Sequence, residues 1–472
     1  MSNESSQNKE LKKTVLSLSV VSFFLAFNYF ILAALKETLL VTAPEAGAEA
    51  IPFVKMWLLF PFSVAFLAGF TWMASTLSFR FAVSTMIILF LSLYAVFAFI
   101  CYPLRETLHL HGLADNLQLL LPEGWKGFAT VVRYWSFSLF YVSAECWCTI
   151  VYSVVFWGYA NAVIKLAEAK KYYPYLTLAG TIAALIAGPL TIFLTGEAFR
   201  PLVPLGYDKW EVAFYGLTFS VLLSGFSALT VFLKYCPAVT PDKSGGEKSS
   251  FRTSFLKIFR SKYLITLAGI CLTYNLVINL TDVVWKNEVL KLYPNPGDFT
   301  SYLSFVTVLT GIVSTFITLF VCRQSLRWYG WTFTALITPF LALITGAIFF
   351  LSLFGQEYGF LPISLTAVTF LGSIHICLSC GAKYTLFEPT KEMAFIPLSN
   401  EEKLHGKAAI DGIGTRLGKT SSSIIYQSLL VALPTISACT PIIGALLILV
   451  IAACISCILS LGKQIEAQPL KA

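Results

Sequence analysis

Ten stretches of this chain carry no Asp, Glu, Lys or Arg: 14–35, 56–79, 81–104, 146–164, 172–196, 212–233, 263–281, 299–322, 328–356 and 358–382. Each is close to or above the roughly 20 residues with which an α-helix crosses a bilayer. Inside a hydrocarbon layer every backbone N–H and C=O needs a partner within the protein, so runs of this length fold as helices. An eleventh uncharged stretch covers 420–462. It is too long for one crossing, and LPTISACTP at 433–441 supplies the Pro and small polar residues that split it in two. Twelve spans result, the fourth extended upstream through Glu145 towards Arg133. Composition agrees, with 57% hydrophobic and 12% charged residues, against about 25% charged in soluble domains.

Orientation follows from Lys and Arg, which concentrate in cytoplasmic loops. Lys9, Lys12 and Lys13, then Arg80, then Lys165, Lys170 and Lys171, then the basic run from Lys243 to Arg260, then Arg323 and Arg327, and finally Lys463 and Lys471 all fall on one side. Both termini are therefore expected in the cytoplasm. The net charge of +8 reads as a topology signal, and no nucleic acid partner is expected. The eleven cysteines are scattered, mostly within spans, where Cys behaves as a small apolar residue. CLSC (377–380) and CISC (454–457) lie in separate helices at lipid depth, so no metal site is expected, and no cofactor either. His375, in span ten, reads as a packed histidine.

The chain divides once, at CPAVTPDKSGGEKSSFRTS (236–254), a Pro-, Gly- and Ser-rich basic linker with six spans on each side. The expected organisation is a six-helix bundle over 1–235, a cytoplasmic linker over 236–261 and a second six-helix bundle over 262–472. Two such halves with a substrate held between them near mid-depth is a recurring plan of secondary transporters. A polytopic membrane enzyme or scaffold is the alternative from another class, and an enzyme would gather its groups near one leaflet under a soluble lid. FNYFILAALKETLL (27–40) and YNLVINLTDVVWKNEVL (274–290) share an aromatic residue followed by Asn and a downstream Lys, a faint likeness between the halves.

A charged residue at the centre of a membrane helix costs about 2.5–3.5 kcal/mol on insertion scales, so those retained there call for a use. In span seven Asn275, Asn279, Asp282 and Lys286 fall at i, i+4, i+7 and i+11 and share one stripe. In span four Tyr134, Ser138, Tyr141, Glu145 and Thr149 follow the same spacing. Lys36 and Glu37 close span one, and RLGKTSSSIIYQ (416–427) opens span eleven with Lys419, Ser423 and Tyr426 on one face. Any one of these pairs alone reads equally as a structural ion pair. Four of them, at or close to the first and fourth helices of each half, point to a shared substrate cavity. Lysines suit phosphate as compact charges, and carboxylates tune those lysines, bind a proton or contact a sugar or base. Arg133, Lys286, Lys383 and Arg416 are further candidates for the phosphates, while Tyr141, Trp147 and Trp285 are candidates for stacking on a base. Asn275 belongs to the candidate substrate-binding set through its stripe. GIGTRLGKT (412–420) nearly spells a phosphate-binding loop, but Ile413 stands where the first Gly is required and a membrane helix follows. ATP hydrolysis is not expected.

LKETLLVTAPEAGAEAIPF (35–53), AECWCTIVYSVVFWGYAN (144–161), YNLVINLTDVVWKNEVLKLYPNPGDF (274–299) and KEMAFIPLSNEEKLHGKAAIDGIGTRLGK (391–419) resemble the ATP/ADP translocase family of plastids and of obligate intracellular bacteria such as chlamydiae and rickettsiae. The likeness covers nearly the whole chain. It implies an all-α integral membrane protein with twelve transmembrane helices in two six-helix bundles, major-facilitator-like, working as a carrier. The implied reaction is exchange of ATP for ADP, with phosphate or protons as co-substrates and a monomer as the working unit. The residues on which family members depend fall on Lys36, Glu145, Asp282 and Lys419. Beside them this chain departs from the exchangers: Leu32 to Leu35 are uncharged where exchangers carry Arg-Asp-Thr, Asp282 stands for Glu, and Cys146 to Thr149 and the TSSS run at 420–423 also differ. Proton-coupled import of other nucleotides such as GTP or UTP, and NAD exchange, are the alternatives these departures leave. The opening segment MSNESSQNKELKK contains acidic residues, unlike a plastid transit peptide, and a bacterial inner membrane is the expected location.

Overall fold

The computed structural model describes residues 2–164, 166–237, 261–395, 398, 410 and 415–466. The expected linker at 236–261 lies almost wholly outside the described residues. The described residues are helical nearly throughout. In the N-terminal half the helices are α1 (Ser2–Val41), α2 (Ala50–Ala74), α3 (Phe79–Cys101), α4 (His111–Leu120), α5 (Lys126–Arg133), α6 (Trp135–Asn161), α7 (Leu166–Thr195) and α8 (Lys209–Tyr235). In the C-terminal half they are α9 (Lys262–Leu292), α10 (Pro296–Cys322), α11 (Arg323–Glu357), α12 (Leu365–Ala394), α13 (Thr415–Ala432) and α14 (Ile436–Glu466).

Eleven helices among the described residues are long and apolar enough to cross a membrane. The remaining expected span is α13, an 18-residue helix whose first turns, TRLGKTSSS, are polar. The long uncharged stretch splits where its turn residues lie, between Ala432 and Ile436, and the Thr435 hydroxyl accepts from the Ala438 N–H at 3.2 Å to start α14. The same side-chain capping starts α3 from Ser78, α8 from Asp208 and α12 from Ser364. Within α11 the regular helix breaks at Gly330, with φ +78°.

Contacts sort the chain into two compact units. The first holds Met1–Leu120, Gly127–Lys243 and Tyr293–Val308, and the second holds Leu121–Lys126, Ser244–Leu292 and Leu309–Ala472. In the first unit α1 is central and packs on α6, α7 and α8. In the second, α9 is central and packs on α12, α13 and α14. The opening span of each half thus meets the fourth, fifth and sixth spans of its own half, a repeat in packing where the sequence shows only a faint likeness. Five spans also contain a π-helical segment: Val54–Leu59 in α2, Phe97–Cys101 in α3, Trp147–Phe156 in α6, Ile317–Cys322 in α10 and Lys383–Phe387 in α12. The second and eighth spans, and the fourth and tenth, correspond between the halves, although the segment lies near the start of the second span and at the end of the eighth. Such widened turns occur often at functional sites.

Candidate substrate site

The first unit gathers its buried charge where α1 meets α6. Lys36 and Glu37 are only 6% and 4% exposed, and Nζ of Lys36 bonds the Glu37 carboxylate and lies 3.3 Å from Oε2 of Glu145. The ammonium also sits 4.2 Å from the centre of the Tyr141 ring, and the Tyr141 hydroxyl donates to Oε1 of Glu37 at 3.1 Å. One lysine therefore faces two carboxylates and an aromatic face. A buried cation without a partner would be expensive in this setting, and the two carboxylates supply that partner inside the bundle. The mutual position of the two helices is fixed just beyond Glu145, where the indole N–H of the fully buried Trp147 donates to the Leu25 carbonyl at 3.0 Å. That bond and its edge-on contacts with Phe90 and Tyr94 make Trp147 a packing residue.

The second unit gathers a related set along α9. The stripe from Asn275 to Lys286 is real: Asn275, Asn279 and Lys286 are buried, Asp282 is half-buried, and Nζ of Lys286 bonds Oδ2 of Asp282 at 2.7 Å. Asn279 donates to the Asn275 carbonyl at 2.8 Å, and Asn275 donates to the Cys271 carbonyl at 2.8 Å. The free oxygen of Asn275 then accepts from Nζ of Lys383 at 3.0 Å. Lys383 opens the π-helical segment of α12, so a span-ten cation joins the span-seven stripe. Its own electrostatic neighbourhood includes Cys380, which also lies within range of Asp282 and Lys286. Trp285 is held apart from this set by packing, its indole N–H donating to the Ser373 hydroxyl at 3.1 Å.

Helix α13 reaches the same stripe through a glycine. A Cβ built on Gly418 would fall 2.7 Å from Cβ of Asn275, closer than side chains approach one another. Only glycine lets the α13 backbone lie this close, as small residues do at helix crossings in membranes. Lys419 follows Gly418 directly and Arg416 precedes it by two residues; both have their backbone in α13, and their side chains lie outside the described residues. Further along, the Tyr426 hydroxyl bonds the Leu280 carbonyl, tying α13 to α9.

Arg133 stands elsewhere. It ends α5, and its guanidinium meets Asp115 at 2.7 Å, Gln118 at 3.4 Å and Glu45 at 3.5 Å, none of them in the Lys36 cluster. Glu45 has φ 58°, a left-handed conformation that disfavours non-glycine residues. Its neighbour Pro44 accepts at its carbonyl from the Tyr134 hydroxyl at 2.8 Å. Arg133 and Tyr134 together fix the turn that follows α1. His375 is packed, as its surroundings in the sequence suggest: 1% exposed, Nδ1 2.7 Å from the Thr345 hydroxyl and stacked on Phe349. Sequence reasoning passed over Lys55, which is buried in the π-helical segment of α2. The signal was there, since it is the lysine immediately before the uncharged stretch 56–79.

Chemically, each unit offers lysines already paired with oxygen ligands. Oxygens of higher charge, such as those of a polyphosphate, compete for a lysine more strongly than a single carboxylate does.

Residues 5–465 match the family model described as TLC ATP/ADP transporter. The chain is 36% identical to ADP,ATP carrier protein 2 of Chlamydia pneumoniae, over 95% of this chain and 88% of that protein. It is 38% identical to ADP,ATP carrier protein 1 of Chlamydia trachomatis, over 94% and 86%. It is 33% identical to the chloroplastic ADP,ATP carrier protein 1 of Arabidopsis thaliana, over 96% and 74%. Among solved structures, a variant of the nucleoside transporter NupG superposes with a TM-score of 0.61 at 11% identity, covering 96% of this chain and 99% of that one. A D-xylose–proton symporter superposes with a TM-score of 0.60 at 12% identity, covering 94% and 96%. At such identities these two establish a fold, major-facilitator-like, while the match along the sequence establishes kinship: the chain is a multi-pass membrane protein of the TLC ATP/ADP transporter family.

Proposed function

We propose that this protein exchanges ATP for ADP across a bacterial inner membrane by alternating access, ATP entering as ADP leaves. The observation that carries the reading is the identity of 33–38% to ADP,ATP carrier proteins along more than nine-tenths of the chain. In this reading Lys36 and Lys419 receive the phosphates. Glu145 and Asp282 hold lysines in the empty carrier and release them to substrate. Asn275, Tyr141, Lys286, Lys383 and Arg416 complete the binding set, and Arg133 acts at a distance by holding the turn after α1. Both termini face the cytoplasm, as the basic loops favour, the monomer is the working unit, and phosphate accompanying ADP is the co-substrate the reading admits. The pairing of Lys36 with Glu37 and Glu145 supports a carrier that gives this lysine oxygen partners when nucleotide is absent.

The test is uptake of labelled nucleotides by the full chain in proteoliposomes, with and without internal ADP. Exchange requires that ATP uptake depend on internal ADP or ATP. Equal uptake into empty vesicles removes the exchange reading, and no uptake of any nucleotide in a panel removes the substrate class.

A further inference from the structure

Helix α4 (His111–Leu120) is amphipathic with its apolar face turned away from the protein. His111, Ala114, Asp115 and Gln118, at i, i+3, i+4 and i+7, share the face that meets the first unit. Ala114 is fully buried, Asp115 and Gln118 receive hydrogen bonds from Arg133, and the His111 ring lies 5.9 Å from Tyr134. The opposite face repeats leucine at 110, 113, 117 and 120. Leu110, Leu113 and Leu120 are 43%, 51% and 81% exposed, Leu117 is half-buried, and Leu119, on the flank of the helix, is 86% exposed. A helix on a water-facing surface shows the reverse pattern, apolar side inward.

Two further facts choose what covers this face. Ten residues of helix span about 15 Å, half the roughly 30 Å of a hydrocarbon core, so α4 cannot cross a bilayer. Along the chain the exposed leucines also follow Leu104, 50% exposed, and the end of α3, where Val96, Phe99 and Ile100 are 47%, 64% and 52% exposed. Those residues belong to a membrane-spanning helix. Along the chain, apolar exposure passes from a span to α4 with the exposed Glu106 and Thr107 between them, the mixture of apolar and charged side chains that suits the acyl–headgroup boundary.

We propose that α4 lies in the membrane interface with Leu110, Leu113, Leu119 and Leu120 in the acyl–headgroup boundary of the leaflet at the end of α3, docked on lipid and not on water or a second copy. Its polar side is then the anchor that holds Arg133, and through it the start of α6, at a set depth in the bilayer. Interfacial helices bind by burying an apolar face in this way.

The photoreactive residue p-benzoylphenylalanine replaces Leu113, Leu120 or Phe99, one at a time, in the full chain reconstituted in vesicles of labelled phosphatidylglycerol and phosphatidylethanolamine. Phe99, on a span, calibrates contact with lipid. Lipid adducts at 113 and 120 within about twofold of those at Phe99 are the expected result, as burial in the boundary demands. Yields about tenfold lower than at Phe99 place the leucines in water and overturn the proposal, as do adducts to a second polypeptide copy. Nucleotide uptake by each labelled protein, measured in parallel, separates failure of this inference from failure of the transport reading.

Discussion

Lys36 meets two carboxylates and a ring face, and the partners do different work. Replacing Lys36 with Gln leaves Glu37 and Glu145 buried side by side without their cation, a loss of about 3–5 kcal/mol when a buried pair is broken. ATP uptake by Lys36→Gln in proteoliposomes is therefore expected to vanish, and Glu37→Gln in the same protein is expected to restore membrane-inserted yield without restoring uptake. Tyr141→Phe keeps the ring over Lys36 and removes only the donor to Glu37. Hydrogen bonds to charged groups contribute about 1.5–3 kcal/mol, so uptake at low ATP should fall about tenfold; an unchanged rate would separate the hydroxyl from transport. His109 gives a pH signature in the connection after α3. Burial, then the neighbouring His111, lowers its pKa to about 4 from 6.5, and its Nε2 is 2.9 Å from the Ser136 hydroxyl. The unfolded chain then binds the proton first, so stability is highest above pH 6.5, falls as the pH drops towards 4 and levels off below. Melting temperatures in detergent should follow that slope, and His109→Gln should flatten it. The sequence made the α9 stripe legible because its spacing is a property of one helix. The bond from Lys383 to Asn275 joins residues 108 apart, and the capture of Arg133 by Asp115 depends on how a short helix folds back; neither relation has a local period to read.

Helices were the easiest feature to recognise, because a bilayer imposes a length and excludes charge. The turn at 433–441 and the capping residues follow from the same punctuation. The π-helical segments have no signature in the sequence: KYTLF at Lys383–Phe387 carries neither Pro nor Gly to mark a widened turn. The polar opening of α13 approaches α9 closely, and its geometry turns on one glycine. Gly418→Leu would drive a branched side chain into Asn275, which already has no room for a Cβ. Overpacking of this kind costs about 1–3 kcal/mol. The expected outcome is a folded protein of lower melting temperature whose ATP uptake is lost, because the Asn275–Lys383 pair and the backbone before Lys419 are displaced together. Gly418→Ala should lie between. Full uptake by Gly418→Leu would show that α13 does not need this approach.

At the scale of the whole molecule, the two compact units are not two stretches of sequence. Tyr293–Val308, from the C-terminal half, belongs to the first unit, where the Thr300 hydroxyl lies 2.7 Å from that of Thr38 and a Cβ on Gly188 would collide with Val308. Leu121–Lys126, from the N-terminal half, belongs to the second, where the Gly124 backbone abuts Leu430 and Val431. A basic, Pro- and Gly-rich linker suggests a clean division, and composition has no means of signalling an exchange of short segments across it. Expressed alone, a fragment covering 1–243 lacks part of its own unit and should be cut by protease faster than one covering 1–308, measured by limited proteolysis in membranes; equal rates would mean that the segment adds nothing. The same exchange sets a timetable for biosynthesis. Domains commonly fold as they emerge from the ribosome, the N-terminal one first, but the first unit here stays incomplete until residue 308 has been made. A chain paused between residues 243 and 308 therefore holds its first six spans without the Thr38–Thr300 hydroxyl contact and without Val308 against Gly188.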